Sequence, residues 1–313
     1  MAGNRFHAKD AVHFITNRCE QELFLMLPKE NVNRLIQEWL ARALTHVDGG
    51  LEIYAFIFLS NHFHFLVKDT GGKLARFMGY FQGNLAKAVN KELCRHGSFW
   101  AREYDDVIVD DTEAAFFNRY SYIICNAVKA GLVDRADEWT GISSLDLALS
   151  ERPLVVDVLN KTRLHNATRR TKNVDTSKFI ERHTIALTVP PPWSALPPDV
   201  RTRHLRDLVH AGEQRFQRAR DNKPPLGMKQ VLKQSPLDAP LFPSFRPRIK
   251  VFAMTKPRRE LLLDAYKCHV GGYKQTYDEF IQAALQGRRP AVEWPHWSYP
   301  PSSAVPIGFA DSR

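Results

Sequence analysis

Cysteine is scarce. The 313 residues hold four, Cys19, Cys94, Cys125 and Cys268, each far from the next. The absence of any C-x-x-C pair argues against a zinc knuckle, a dithiol redox centre or a disulfide framework, and points to a reducing, cytoplasmic setting. No apolar run reaches the roughly 18 residues of a membrane-spanning helix. The opening stretch MAGNRFHAKD has no apolar h-region, so it does not read as a secretory signal. No G-x-x-x-x-G-K-[ST] loop occurs, and no nucleotide cofactor is expected. Proline is almost missing from the first 150 residues, where Pro28 stands alone; the other eighteen follow.

Net positive charge is missing from the same half. Residues 1–150 hold 16 Lys and Arg against 19 Asp and Glu, whereas residues 151–313 hold 28 against 15, and together they give the net charge of +10. Two composition shifts at one place divide the chain into a 1–150 domain and a basic, Pro-rich 151–313 extension. Excess base suits a polyanion, most often nucleic acid; a solvated basic tail is the plainer reading.

Within 1–150 the apolar spacing predicts strands at 11–19, 51–60, 62–69 and 104–111, and helices at 29–47, 73–97 and 112–131. In the first helix Val32, Leu35, Ile36, Leu40 and Leu44 recur at three- and four-residue steps. Asp110-x-x-Glu113 reads as a capping-box-like start for the third helix, and Gly131 as its stop. The order β-α-β-β-α-β-α predicts an α+β fold: a ferredoxin-like split-βαβ sandwich, an antiparallel sheet with helices on one face. A basic, mainly helical or irregular C-terminal extension follows it.

The strand SNHFHFLV (60–67) places two histidines one residue apart among large apolar side chains. Side chains alternate along a strand, so His62, His64 and Leu66 share one face, and Phe63, Phe65 and Val67 the other. Taken alone, this is either a half-buried strand with imidazoles on its polar face or a pair of metal ligands. The third helix poses a similar choice. At about 100° per residue, Tyr120 and Tyr122 point about 200° apart. Tyr120 joins Phe116, Ile123 and Ala127 on the core stripe. Tyr122 joins Asn118, Asn126 and Lys129 on a polar stripe, with Tyr122 and Asn126 stacked at i and i+4. An ordinary surface tyrosine remains an alternative at this point.

The two segments together resemble the HUH-type single-tyrosine (Y1) transposases: the insertion-sequence 200/605 class and the related REP-associated tyrosine transposases. Their motifs, Asn-His-x-His-x-Leu-Val and Tyr-Ile-x-x-Asn-Pro-Val-[Arg/Lys]-x-Gly-x-Val, read here as NHFHFLV (61–67) and YIICNAVKAGLV (122–133). SFWAREYDDVIVDD also resembles the family's segment before its catalytic helix. The resemblance covers roughly residues 5–147. It implies that His62, His64 and Asn126 hold a divalent metal, Mg²⁺ or Mn²⁺, and that Tyr122 is the nucleophile. Arg119 and Lys129, on the same helix, are candidate DNA contacts. The implied activity is cleavage and rejoining of single-stranded DNA at REP-like hairpins, through a 5′-phosphotyrosine link. Two positions depart from the pattern: Ala127 replaces the proline, which implies a straighter helix, and in WTGISSL (139–145) Leu145 stands where the family often has tyrosine.

Three other readings stand beside this one. A replication or transfer initiator would use the same metal and tyrosine, but usually with a helicase or a second tyrosine motif. A catalytically silent hairpin-binding protein would keep the surface without the chemistry. A zinc hydrolase would need a third His, Asp or Glu ligand and a base in register. Whether one copy or two form the working unit is left open by the sequence. In the extension, 190–225 reads as a proline-bounded, arginine-rich helix. Trp294, Trp297 and Tyr299 near the end are candidates for stacking on bases.

Overall fold

The computed structural model describes residues 11–169, 171, 174–240 and 249–288. The first elements are β1 (Val12–Arg18), α1 (Glu30–Val47), β2 (Leu51–Phe58), β3 (His62–Asp69), α2 (Leu74–Glu92) and β4 (Asp105–Val109). The four strands pair in the order β2-β3-β1-β4, every pair antiparallel. This is the ferredoxin-like, split-βαβ arrangement, and it puts the histidine strand β3 inside the sheet. Then come α3 (Glu113–Ile124), α4 (Asn126–Lys129), α5 (Leu145–Ser150), β5 (Leu154–Leu159), α6 (Lys161–Thr168), β6 (Ile180–Ile185), α7 (Pro198–Ala219), α8 (Met228–Lys233), β7 (Val251–Phe252) and α9 (Lys256–Leu285). Among the described residues no helix is long and apolar enough to cross a membrane.

The sheet has an apolar core on each face. On one, Ile15, Phe56, Phe58, Phe63, Phe65 and Val67 meet the apolar stripes of α1 and α2. Phe81 of α2 sits among Phe58, Phe63 and Phe65 with ring centroids 5.8–6.0 Å away. Each such phenyl contributes roughly 1.5–3 kcal/mol by leaving water. The turn into α2 is fixed by Asp69 at the end of β3. Its carboxylate accepts the Lys73 and Leu74 amides at 2.8 and 3.0 Å, satisfying donors that the first helical turn leaves open.

On the opposite face α3 lies across the sheet. A register shift in β2 between Ile53 and Ala55 turns Tyr54 and Ala55 both toward it, where they join Phe14, Leu66, Phe116, Tyr120 and Trp193. Helices therefore cover both faces: α1 and α2 on one, α3 backed by α7 on the other. Thr112 caps α3 by accepting the Ala115 amide at 3.4 Å, so Asp110 is not the cap. Asp110 is buried and accepts instead from the Thr112 hydroxyl and from Arg258. Gly131 ends the helical segment in the left-handed region, φ +68°, with the Leu132 amide closing on the Ala127 carbonyl at 3.0 Å.

The straight helix implied by Ala127 is not what forms. The segment breaks at Cys125 (φ −95°, ψ 17°), between α3 and α4. The break sits where α7 crosses. The Cys125 thiol lies 3.5 Å from the Val209 carbonyl, and a Cβ at Gly212 would stand 2.7 Å from both Cys125 Sγ and Ser121 Oγ. A tertiary contact thus accompanies the kink.

The extension is mainly helical, with three strands that the sequence reading did not anticipate. The β5–β6 hairpin lies along α1, where Arg42 donates to the Leu159 carbonyl at 3.2 Å and Thr45 meets His183 at 2.9 Å. β7 adds a fifth strand to the main sheet, parallel to β4. Trp294, Trp297 and Tyr299 lie outside the described residues.

Two stability changes are expected. Asp69→Ala should cost about 1–2 kcal/mol, read as a lower urea midpoint at unchanged slope; an unchanged midpoint would mean that the α2 start is satisfied otherwise. Gly212→Ala, which in an open helix gains up to about 1 kcal/mol, should here lower the melting temperature. The crowded crossing outweighs the backbone gain, for a net loss of about 1–2 kcal/mol. A raised melting temperature would show that α7 does not seat against Ser121 and Cys125.

Candidate active site

β3 turns His62 and His64 toward α3, as strand alternation requires. Thr16 of β1 and Ile57 of β2 stand opposite His64, and Arg18 stands opposite His62. The two imidazoles are 5.0 Å apart between centroids and nearly perpendicular, at 81°. Across from them the Tyr122 ring meets His64 edge-on at 5.4 Å, with Phe14 of β1 packed against both, 5.0 Å from His64 and 5.7 Å from Tyr122. Tyr120 is 1% exposed and belongs to the core, stacked on Phe116 and edge-on to Trp193. Burial alone holds its phenol far above the ordinary range.

The polar stripe of α3 does not face open water. Tyr122 is half-buried over β1 and β3, and Asn126 is 2% exposed. Asn126 donates through Nδ2 to the Tyr122 carbonyl at 3.4 Å, which leaves its oxygen as the end suited to a cation. Lys129 Nζ lies 4.8 Å and the Arg119 guanidinium 5.2 Å from the centre of the Tyr122 ring. The structure thus brings Tyr122 together with His64, Arg119 and Lys129, and sets His62 beside His64.

Neither ring nitrogen of the buried His64 has a hydrogen-bond partner. Burial, then the charges of His62, Lys129, Arg18 and Arg119, hold its pKa well below the ordinary 6.5, so it stays neutral at physiological pH. A buried imidazole with two unsatisfied nitrogens is costly unless something binds it. Neutral imidazole is also the form that ligates a metal. His62 is oriented as a ligand would be. Asn61 donates through Nδ2 to the Glu22 carbonyl at 3.1 Å, which directs its oxygen to His62 Nδ1 at 2.7 Å. In the neutral imidazole, the form that ligates a metal, Nδ1 is then the donor and Nε2 carries the lone pair. Two neutral imidazoles suit a divalent cation in an open, oxygen-completed coordination sphere, to which the Asn126 oxygen would have to be brought. They fit a closed zinc site poorly, and among the described residues no three His, Cys, Asp or Glu side chains converge.

Cations dominate the rest of the site. Arg119 is desolvated and pushed down to about 10, the charge of Tyr122 acting to raise it and that of Arg215 to lower it. Among the described residues no carboxylate pairs with Arg119, and its buried Nε has no partner. An anion is the missing complement. Sequence reasoning gave no role to Asn61, although it lies in the motif, nor to Phe14, Arg18 or Phe252, which no motif marks.

No family model matches the sequence, and no curated protein is similar to it in sequence. Among solved structures, a REP-associated tyrosine transposase bound to a REP hairpin is similar over 47% of this chain and 83% of its own, at 16% identity and a TM-score of 0.39. A candidate transposase from Deinococcus radiodurans R1 is similar over 38% of this chain and 95% of its own, at 16% identity and a TM-score of 0.27. The chemistry derived below rests on this chain's own side chains.

Proposed function

We propose that this chain is a metal-dependent DNA strand transesterase acting in the cytoplasm on single-stranded DNA that folds into hairpins of the REP type. One observation carries the reading: a tyrosine packed edge-on against a buried, unpartnered histidine, beside Arg119 and Lys129, with which no carboxylate pairs among the described residues. That arrangement suits a phosphodiester and a phenol nucleophile. The hairpin preference comes from the motif resemblance.

In this scheme Tyr122 Oη attacks a backbone phosphorus. The Oη–P bond forms and the P–O3′ bond breaks. The phenolic proton leaves to water, the departing 3′-oxygen takes up a proton, and the 5′-phosphate stays on the protein. Rejoining is the reverse, with a 3′-hydroxyl as nucleophile, and the phosphodiester energy is kept without a nucleotide cofactor. His62 Nε2, His64 and the Asn126 oxygen would hold Mg²⁺ or Mn²⁺, and a cation bound there would supply Lewis-acid polarisation of a non-bridging phosphate oxygen. Phenol, at a reference pKa of about 10, is a weak nucleophile at neutral pH. Arg119 and Lys129, against the ring, favour negative charge on its oxygen and on the phosphate. Phe14 and the flanking core keep bulk water from one side of the ring, which strengthens those charges.

Tyr122→Phe should abolish a covalent protein–DNA adduct with hairpin DNA and Mn²⁺ on a denaturing gel, while Tyr120→Phe keeps it. An adduct that survives Tyr122→Phe would refute the nucleophile assignment. The site's charge makes a second prediction. With three neutral ligands and cationic neighbours, a divalent cation gains little until a phosphate joins it. In Tyr122→Phe protein, Mn²⁺ affinity measured by calorimetry should rise about tenfold when a single-stranded oligonucleotide is bound, and oligonucleotide affinity should rise by the same factor with Mn²⁺. Equal Mn²⁺ affinity with and without DNA would exclude a shared site.

A further inference from the structure

Arg119 does not hold its place by itself. It projects from α3 with one neutral hydrogen bond, from Nη2 to Asn118 Oδ1 at 3.1 Å. Its guanidinium is held by rings. The Phe14 and Tyr122 ring centres lie 5.3 and 5.2 Å away, and the nearest ring is Phe252, at 3.6 Å. Phe252 belongs to the extension, more than a hundred residues further along the chain, and arrives on β7.

The attachment of β7 is specific. Val251 and Phe252 pair in parallel with Ile108 and Val109, with Ile108 N donating to the Lys250 carbonyl at 3.0 Å and Asp110 N to the Phe252 carbonyl at 2.8 Å. At the start of α9, Arg258 donates through Nε and Nη2 to the buried Asp110 carboxylate at 3.0 and 2.7 Å, and also reaches Asp111. These contacts run along residues 108–111, the Arg258 ones on the two residues before the Thr112 cap, at the entrance to the tyrosine helix. They fix Phe252 relative to α3 with little slack.

We infer that Phe252 is a positioning residue: the extension lays its ring under the Arg119 guanidinium and so aims that cation at the phosphodiester that Tyr122 attacks. The inference rests on the phosphodiester reading above. A stacked guanidinium keeps its edge hydrogens for an oxyanion while its face is occupied by the ring, which suits recognition of a phosphate. The stack also fixes a long side chain before substrate arrives, so less freedom is lost on binding. A free phosphate group and a backbone phosphodiester share this chemistry; only the second places the Tyr122 oxygen in line for transfer. On this view the 151–313 segment is part of the site and does more than add positive charge.

The test is a double-mutant cycle in the full chain carrying Tyr122→Phe, which keeps the ring and removes the chemistry. Affinity for a fluorescent single-stranded oligonucleotide is measured by anisotropy at fixed salt, alongside thermal melting. Phe252→Leu, which fills the space without a ring face, should weaken binding about tenfold, as should Arg119→Ala. The double variant should lose about tenfold, not a hundredfold, and Phe252→Tyr should bind like the parent. Should Phe252→Leu fold poorly, Phe252→Met serves in the same cycle. Unchanged affinity in Phe252→Leu, or an equal loss with and without Arg119, overturns the inference. Coupled binding without a covalent adduct in the Tyr122 protein removes the transesterase reading and leaves Phe252 as the positioner of Arg119 on a bound phosphodiester. An adduct without coupling does the reverse, and failure of the parent to bind the oligonucleotide overturns both.

Discussion

The alternation of β3 is the constraint on which the rest of the molecule depends. One interior strand must satisfy two cores. Phe63, Phe65 and Val67 supply the rings and branches that hold α1 and α2 against the sheet. The residues between them necessarily face the other way, where Leu66 packs under α3, His64 meets its tyrosine and His62 stands beside His64. A one-residue slip of β3 would exchange the faces, placing imidazoles in the phenylalanine core and phenyl rings at the site. Pairing on both sides, with β2 and β1, prevents that slip. The site is therefore as rigid as the core, because the same strand builds both.

That rigidity lets the molecule keep His64 in a costly state. Both its nitrogens are buried without partners, among charges of its own protonated sign. Burial and like charge act in the same direction and keep the ring neutral. The same cations that oppose its protonation attract an anion, so the ligand histidine and the phosphate-binding charges are two sides of one electrostatic arrangement. The opposite face of the sheet shows the contrast. His13, equally buried, has Asp106 at 2.8 Å. Burial pulls its pKa down, but the Asp106 carboxylate outweighs that and raises it. A nearby carboxylate makes a structural ion pair of His13; among the described residues no hydrogen-bond partner does the same for His64.

Among the described residues the basic half of the chain is woven into the acidic half at several places, and three bear on the framework of the site. The β5–β6 hairpin covers α1, α7 crosses the back of α3 at the Cys125 break, and β7 extends the sheet beside β4. The last two touch the tyrosine helix. Gly212 sets how closely α7 approaches, and Arg258 on Asp110 fixes the helix entrance. Interactions across the composition boundary near residue 150 thus determine where Tyr122 and Arg119 sit.

Sequence alone determined the strand and helix order, the split-βαβ sheet and the separation of Tyr120 from Tyr122. Those follow from periodicity: a strand repeats every two residues and a helix every 3.6, so faces can be assigned without knowing what they meet. The motif resemblance singled out His62, His64, Asn126 and Tyr122, and the helix stop at Gly131 was legible because only a left-handed position asks for glycine there. Tertiary structure decided the rest. The kink at Cys125 has no local cause, since Ala127 is a good helix former; it accompanies a contact with α7, 84 residues away. Asp110 looked like a cap until Arg258 claimed it from another helix. Phe252 is an ordinary phenylalanine in a two-residue strand, with no periodicity to mark it. Its place under Arg119 exists only because β7 finds the edge of β4, and a pairing between distant segments leaves no trace in either one's local pattern.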